Sequence, residues 1–305
     1  DQRGWGGWSV RPPFFDTVAE EHRAIRERAG LVDLSSFGKI ELRGPGAGTL
    51  LSRVAAGNMD RPVGSVVYTP FCNSRGGIVA DVTVARLAED AFRIVTGAGS
   101  VDNDMGHIRA CLQEEDPPLD IRDVTEDYAC IALWGPRAAD VLREMTHDDV
   151  SDTGLPYMGA KGIMVNGIKL WAQRLSYAGE AGWELYPAAD KAVAIWDGLW
   201  AAGQACGITA VGYKALDALR LDRSFVLECD TNEERARVVV AILAMAKSLN
   251  LGVVAEGVET EEQFRFLADS GVHVFQGYLL SKPVAAEQLE PMLAPWHFVE
   301  QVQKL

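Results

Sequence analysis

The sequence predicts an α+β body with an internal duplication, followed by a partial β/α segment. Three observations support this prediction. Helical and strand-like patterns are mixed without a strict βαβ rhythm, two similar strand-to-helix units occur in the first half, and after Phe225 strands and helices alternate with short links. The chain of 305 residues is long enough for one large domain or two ordinary ones.

The first elements follow the usual rules for helices and strands. The run "DTVAEEHRAIRERAG" after Phe15 has helical spacing, with Asp16 as the predicted cap and Gly30 where the helix could stop. The runs "GKIELRG" and "FRIVTG" alternate as strands do, and "GGIVADVTVARL" is a β-branched run after paired glycines. These patterns predict an α+β domain rather than a regular parallel sheet.

An internal repeat joins a strand end to a helix twice. "LRGPGAGTLLSRV" at residues 42–54 and "LWGPRAADVLREM" at residues 133–145 share Gly-Pro, an Ala two residues on, and Leu on a helix face. Pro suits the first turn of a helix, where its missing N–H is not needed. The repeat indicates two related units in a duplicated body. The alternative is that Gly-Pro is simply a common way to start a helix.

Composition excludes several classes of function. A formal net charge of −14 argues against a nucleic-acid partner, because such binding depends on Lys and Arg. The five cysteines are scattered and form no Cys-x-x-Cys pair, so neither a disulfide framework nor a zinc site is indicated. The N-terminus has no signal-peptide pattern, and no apolar run reaches the length of a membrane span. We therefore expect a cytoplasmic protein without membrane contact.

The last part of the chain has a different pattern of predicted helices and strands. "EERARVVVAILAMAKSLNLG" is an apolar helix pattern ending at Gly252, "VVAEG" is a strand, "TEEQFRFLADSG" is a capped helix, and "HVFQGYLLSKP" is a strand and loop. This alternation is typical of a parallel sheet or barrel. In such folds the chemistry lies at the carboxyl ends of the strands, which includes Glu256 here.

Residues 14–222 resemble the folate-binding family of the glycine-cleavage T-protein (aminomethyltransferase), and especially its relatives at the C-terminal end of dimethylglycine and sarcosine dehydrogenases. Five motifs carry this resemblance in the family's order: "EEHRAIRERAGLVDLSSFGKIELRGPGA", "YTPFCNSRGGIVADVTV", "ALWGPRAADVL", "LSYAGEAGWELYP" and "ALDALRL". The resemblance implies a duplicated, ferredoxin-like α+β body with a central cavity for tetrahydrofolate.

The same resemblance implies four site residues. Asp81 matches the key carboxylate, which would orient a folate amine and handle its proton. Glu180 matches a carboxylate that binds the pterin ring, through two parallel N–H bonds. Tyr68 matches a ring-lining aromatic and Arg220 a basic residue near the folate. The alternatives are that Asp81 only caps or turns the chain, that Glu180 is a solvated loop residue, and that the other two are routine core or surface residues.

Two departures from the family pattern limit what this chain is expected to do. The β-rich domain that follows "ALDALRL" in the family has no counterpart, which leaves open whether one-carbon transfer survives. The flavin domain of the dehydrogenase relatives, with its Gly-x-Gly-x-x-Gly loop, has none either, so the chain is not expected to oxidise amines by itself. A flavin-dependent amine dehydrogenase domain or subunit is the implied partner.

Residues from about 219 to 290 resemble the last third of the EAL-type cyclic-di-GMP phosphodiesterase domain, which is derived from a TIM barrel. "LRLDRSFV", "VVAEGVETEEQFRFL" and "QGYLLSKPVAAEQL" carry this resemblance. Glu256 is the sole metal ligand retained, and Arg220 stands at the family's lysine position, so we expect no metal site and no phosphodiesterase activity.

These resemblances predict four segments along the chain. They are an N-terminal segment (1–13), a folate-binding domain (14–222), a truncated EAL-like segment (223–292) and a tail (293–305). The leading hypothesis is a tetrahydrofolate-binding one-carbon transfer module. Two alternatives stay open: a non-catalytic element that senses cyclic-di-GMP or binds a partner, and a chimera with no evolved function.

Overall fold

The computed structural model describes residues 15–175, 180–221 and 253–280, with single residues and short stretches between 226 and 243. The chain divides into two compact units. The main unit comprises residues 23–212, and the second unit comprises residues 1–22 and 213–305. None of the helices in the described ranges reaches the length and hydrophobicity that crossing a bilayer requires.

Helices and strands alternate irregularly along the main unit, as the sequence predicts. The helices are α1 (Phe15–Glu27), which begins in the second unit, α2 (Ala47–Val54), α3 (Val101–Ala110), α4 (Ala138–Met145) and α5 (Ala192–Gly203). The strands are β1 (Ala29–Asp33), β2 (Gly38–Arg43), β3 (Val66–Cys72), β4 (Ile78–Ala88), β5 (Ala91–Thr96), β6 (Asp120–Asp123), β7 (Ile131–Trp134), β8 (Ala160–Val165), β9 (Ile168–Gln173), β10 (Gly182–Tyr186) and β11 (Ile208–Val211).

The strands of the main unit form two sheets. One is five-stranded and antiparallel, in the order β3-β4-β5-β2-β6. The other is six-stranded, in the order β11-β1-β7-β10-β9-β8, and only its β1–β11 pair is parallel. This mixed architecture confirms the α+β prediction.

Each sheet has one face covered by helices. Leu50 of α2 and Ile108 of α3 pack on the five-stranded sheet beside Ile40 and Phe92. On the six-stranded sheet, the helices α4 and α5 bury a second core. Successive side chains of a strand point to opposite faces of the sheet. In both sheets, every second side chain therefore points away from these helices, on a second face.

The two predicted strand-to-helix units have the same local geometry. Gly44 follows β2 and Gly135 follows β7, with φ of +124° and +125°. Each glycine carbonyl accepts a hydrogen bond from the first N–H of its helix, at 3.1 Å in α2 and 3.0 Å in α4. A Cβ at Gly135 would lie 2.5 Å from the carbonyl oxygen of Arg28, so this position requires glycine. The units match locally, and duplication of the whole body stays a prediction.

The second unit contains a short parallel sheet. Its strands are β12 (Arg220–Leu221), which follows helix α6 (Tyr213–Leu219), β13 (Val254–Glu256) and β14 (Val274–Gln276), in that order. Helix α7 (Glu261–Asp269) begins with a capping box between Thr260 and Gln263. These elements confirm the predicted strand, capped helix and strand. The predicted apolar helix before Gly252 falls largely outside the described residues, and an origin from a TIM barrel stays a prediction.

Candidate functional site

The second faces of the two sheets meet in what we call the intersheet layer. Val66 of β3 and Ala85 of β4 are buried in one cluster with Ala160 of β8. Nearby, the guanidinium carbon of Arg93 in β5 lies 5.7 Å from the ring centre of Tyr186 in β10, and 4.0 Å from that of Tyr128. Backbone hydrogen bonds at residues 64–66 and 158–160 join the same two edges. The covered part of this layer therefore links the two sheets through both apolar and charged contacts.

Buried charges form the side of the layer that belongs to the five-stranded sheet. Nη2 and Nε of Arg93 donate to Oε1 of Glu41, at 2.6 Å and 3.2 Å. Burial opposes ionisation of Glu41, but the hydrogen bonds from Arg93 and Arg43 hold its pKa below the ordinary value. Lys39 is also buried and donates to three backbone carbonyls, and burial lowers its pKa. These charges are compensated inside the protein rather than by water.

The six-stranded sheet contributes a buried carboxyl. The hydroxyl of Tyr186 donates to Oε2 of Glu184 at 2.6 Å, and burial raises the pKa of Glu184 to about 7. Burial likewise raises the pKa of the Tyr186 phenol and of the nearby Cys130 thiol. Gln173 pairs with Glu184 across the strands, and within the described ranges its buried amide has no hydrogen-bond partner. The layer is thus polar but short of water.

The layer opens along β3 and β4. Val66 and Ala85 are buried in it, whereas Tyr68, two residues along β3, is 56% exposed, and Asp81, four residues back along β4, is also exposed. The Tyr68 hydroxyl donates a hydrogen bond to Oδ2 of Asp81. Thr83 lies opposite Tyr68 and two residues after Asp81, on the same face of the sheet, and is half-buried. We take this open end, with Tyr68, Asp81 and Thr83, as the candidate site.

The structure brings two of the four predicted site residues, Tyr68 and Asp81, into contact. Glu180 lies in the bend before β10, where Arg26 Nη1 donates to its Oε1 at 2.8 Å. Both side chains of this ion pair are about one quarter exposed, at 28% and 27%. Oε2 has no hydrogen bond to the part of the chain that the structure describes. Arg26 therefore orients the Glu180 side chain through one oxygen, and its other oxygen is available.

Arg220 is in a different setting from the one its folate match implies. The folate resemblance continues the helical run "ALDALRL" through it, whereas the structure ends α6 at Leu219 and starts β12 at Arg220. Its backbone pairs in register with Val254, and its side chain falls outside the described residues. Glu256 ends β13 opposite Gln276, at the carboxyl end of the short parallel sheet.

Sequence reasoning missed the buried residues Arg93, Glu41 and Glu184. Their motifs, "FRIV", "KIEL" and "WELY", alternate apolar and charged residues, a pattern typical of a strand with one face in water. In the structure these charged faces are covered by the opposite sheet. One signal in the sequence was available. The two strands carry charges of opposite sign, and in the sheet Glu41 of β2 lies directly opposite Arg93 of β5.

Comparison with known proteins agrees with the fold. Residues 4–247 match the GCVT N-terminal domain family. The chain is 37% identical over 215 residues to the formaldehyde-forming 4-methylaminobutanoate oxidase of Paenarthrobacter nicotinovorans, covering 70% of this chain and 26% of the oxidase. It is 33% identical to the aminomethyltransferase of Halothermothrix orenii, covering 72% of this chain and 60% of that enzyme. The chain thus spans only part of the length of these relatives.

Solved structures point the same way. Aminomethyltransferase T of the glycine cleavage system from Bartonella henselae has a TM-score of 0.58 at 28% identity, covering 72% of this chain and 58% of that one. An EAL-domain protein from Listeria monocytogenes EGD-e covers 33% of the chain, and its TM-score of 0.26 is too low to establish a shared fold. From the family match over most of its length, we conclude that the chain belongs to the GCVT N-terminal domain family.

Proposed function

We propose that this chain is an aminomethyltransferase-like module that binds tetrahydrofolate, with Asp81 as its catalytic carboxylate. The observation that carries the proposal is the exposed Asp81 carboxylate at the open end of a buried polar layer, with Tyr68 bonded to one of its oxygens. A carboxylate in that setting can accept an N–H of a ligand amine and hold its proton.

The charges and exposure of the site suit a folate. When bound, tetrahydrofolate supplies the amine that takes up the one-carbon unit. Oδ1 of Asp81 and Oε2 of Glu180 have no hydrogen bonds within the described ranges, so each can accept an N–H donor. Arg26 donates to Oε1 and so orients Glu180, which leaves Oε2 to accept an N–H of an amino-pyrimidine edge. In this proposal Glu180 holds the ring and Asp81 meets the reacting amine.

The covered part of the intersheet layer supports the site mechanically. The strands that carry Tyr68 and Asp81 pair along residues 66–72, and the same strands are tied to the opposite sheet at Val66 and Ala85. Residues on paired strands hold their geometry better than residues on loops. The layer therefore holds Tyr68 and Asp81 in place before the ligand binds. Such fixed placement of reacting groups favours catalysis.

We further propose that the module works beside a flavin-dependent amine dehydrogenase domain or subunit. Support comes from relatives such as the dimethylglycine dehydrogenase of Rattus norvegicus, of which this chain covers 26% at 33% identity. A one-carbon unit released by amine oxidation would pass to the folate bound here.

Calorimetric titration with tetrahydrofolate tests the proposal. We expect Glu180→Gln to weaken binding by about 10- to 100-fold, because a charge-assisted hydrogen bond is worth roughly 1.5 to 3 kcal/mol. Asp81→Asn should bind within about tenfold of the parent but lower one-carbon transfer by roughly 100-fold or more.

Two exposed residues of the same types provide matched controls. Glu144→Gln in α4 and Asp90→Asn in the turn before β5 alter charge without touching the candidate site, and both should leave binding unchanged. Circular dichroism should show that every variant folds as the parent does. Absence of binding by the parent protein at millimolar tetrahydrofolate would overturn the proposal, as would equal weakening by Glu144→Gln.

A further inference from the structure

Tyr68 and Asp81 lie on neighbouring strands, and a hydrogen bond joins their side chains. Tyr68 is opposite Thr83 and Asp81 is opposite Pro70, so the two are diagonal neighbours on one face of the sheet. Aromatic side chains can span that diagonal. The phenol donates to Oδ2, so the hydroxyl of Tyr68 is directed at Asp81.

The backbone holds Tyr68 from its other face. Its neighbour Thr69 is buried, and the Thr69 hydroxyl accepts a hydrogen bond from the N–H of Gly57 at 2.8 Å. Phe71 is fully buried in the core beneath the sheet. With these residues fixed, the Tyr68 side chain can project only toward the open end of the intersheet layer. The hydrogen bond to Asp81 is therefore set by the strands.

The hydrogen bond between Tyr68 and Asp81 is not needed to stabilise the fold. Tyr68 is 56% exposed and Asp81 is exposed, so water could satisfy both groups in its absence. A hydrogen bond between exposed groups contributes little to folding, because water competes for both partners. What the bond does determine is the orientation of the Asp81 carboxylate, because it occupies Oδ2 and leaves Oδ1 on the other side.

We propose that Tyr68 is a positioning residue for Asp81. Its phenol holds Oδ2, so that Oδ1 alone receives the N–H of the ligand amine, in addition to any contact that the Tyr68 ring makes with the ligand. A carboxylate oriented in advance loses less entropy when the amine binds. This inference rests on the proposed function for the identity of the ligand, but the orienting contact belongs to the ligand-free protein.

The first test needs no ligand. Tyr68→Phe removes only the hydroxyl, and Tyr157→Phe does the same at a tyrosine that is 71% exposed and distant in sequence. We expect the ¹³C resonance of the Asp81 side-chain carboxyl to shift in Tyr68→Phe and to stay unchanged in Tyr157→Phe. An unchanged Asp81 resonance in both variants would overturn the positioning role, whatever the protein binds.

The second test separates positioning from ring contact. With tetrahydrofolate as the probe, Tyr68→Phe should keep the dissociation constant within about threefold and lower the transfer rate by roughly 10- to 100-fold. In the Asp81→Asn background the same change should have no further effect on the rate. A weaker dissociation constant with an unchanged rate would assign Tyr68 to ring binding and overturn the inference. Failure of the parent to bind tetrahydrofolate would remove the proposed function and leave the resonance test standing.

Discussion

Glu184 should make the stability of the main unit depend on pH near neutrality. Its carboxyl is buried beside Tyr186, and burial raises its pKa from the ordinary value of 4.5 to about 7. The folded state therefore binds this proton more tightly than the unfolded chain does. The stabilising contribution is complete below about pH 4.5, and it is lost as the pH rises through 7. Glu184→Gln, which keeps the size of the side chain but cannot ionise, should abolish this dependence.

The magnitude follows from the difference between the two pKa values. Each unit of pKa difference corresponds to 1.36 kcal/mol, so the full contribution of Glu184 is about 3 kcal/mol. Between about pH 5 and pH 8 the linkage relation gives a loss of roughly 2 to 3 kcal/mol from this one group. The free energy of unfolding of the parent protein, relative to that of Glu184→Gln, should thus fall by roughly 2 to 3 kcal/mol over this interval.

Urea unfolding followed by tryptophan fluorescence measures this difference at each pH. Because other groups titrate identically in both proteins, only the difference between the parent and the variant is interpreted. Glu144→Gln, at an exposed position of α4, is the matched control and should give a constant difference. A difference for Glu184→Gln that changes by less than about 0.5 kcal/mol would show that the Glu184 carboxyl is not desolvated, and the reasoning would fail.

Three other predictions concern stability. Arg93→Met leaves Glu41 only its half-exposed partner Arg43 and should lower the free energy of unfolding by about 3 kcal/mol in urea titrations; less than 1 kcal/mol would contradict a desolvated pair. Gly135→Ala should lower it by about 2 kcal/mol or more, whereas Gly106→Ala, in α3 with nothing near its Cβ, should raise it by about 0.5 to 1 kcal/mol. Thr260→Ala removes the cap of α7 and should speed amide exchange in its first turn, by about fivefold for a loss near 1 kcal/mol; unchanged exchange would exclude the capping role.

Local sequence predicted much of the fold correctly. The strands in "GKIELRG" and "FRIVTG" and the capped helix after Thr260 are where their patterns predict them, because caps and alternation act over a few residues. The first helix is also present, but Asp16 lies in its first turn instead of capping it, and the helix ends at Glu27, so that Gly30 lies in β1. Such local patterns could not predict the order of the strands in the sheets. The parallel pairing of β1 with β11 joins Leu31 to Ala210, and no local pattern specifies so distant a partner.

The candidate site, too, could be predicted only in part from the sequence. Motifs identified Asp81, Tyr68 and Glu180 as candidates, but only strand register puts the Tyr68 hydroxyl on Asp81. For Arg220, two family patterns overlapped, and pairing with Val254 assigned its backbone to a strand. A short segment that satisfies two patterns takes the conformation that its distant partners stabilise, because the local preferences are too small to decide.

By itself, the sequence determined which residues could carry chemistry and which segments would be helices or strands. Tertiary structure decided which faces meet. Glu41 and Arg93 lie on strands whose alternating pattern predicts a face in water, yet both are buried, and Tyr186 of the opposite sheet lies over Arg93. Periodicity shows that a strand has two different faces, whereas exclusion of water depends on what packs against each face. The buried polar layer, and with it the open end that presents Asp81, therefore exists only in the folded protein.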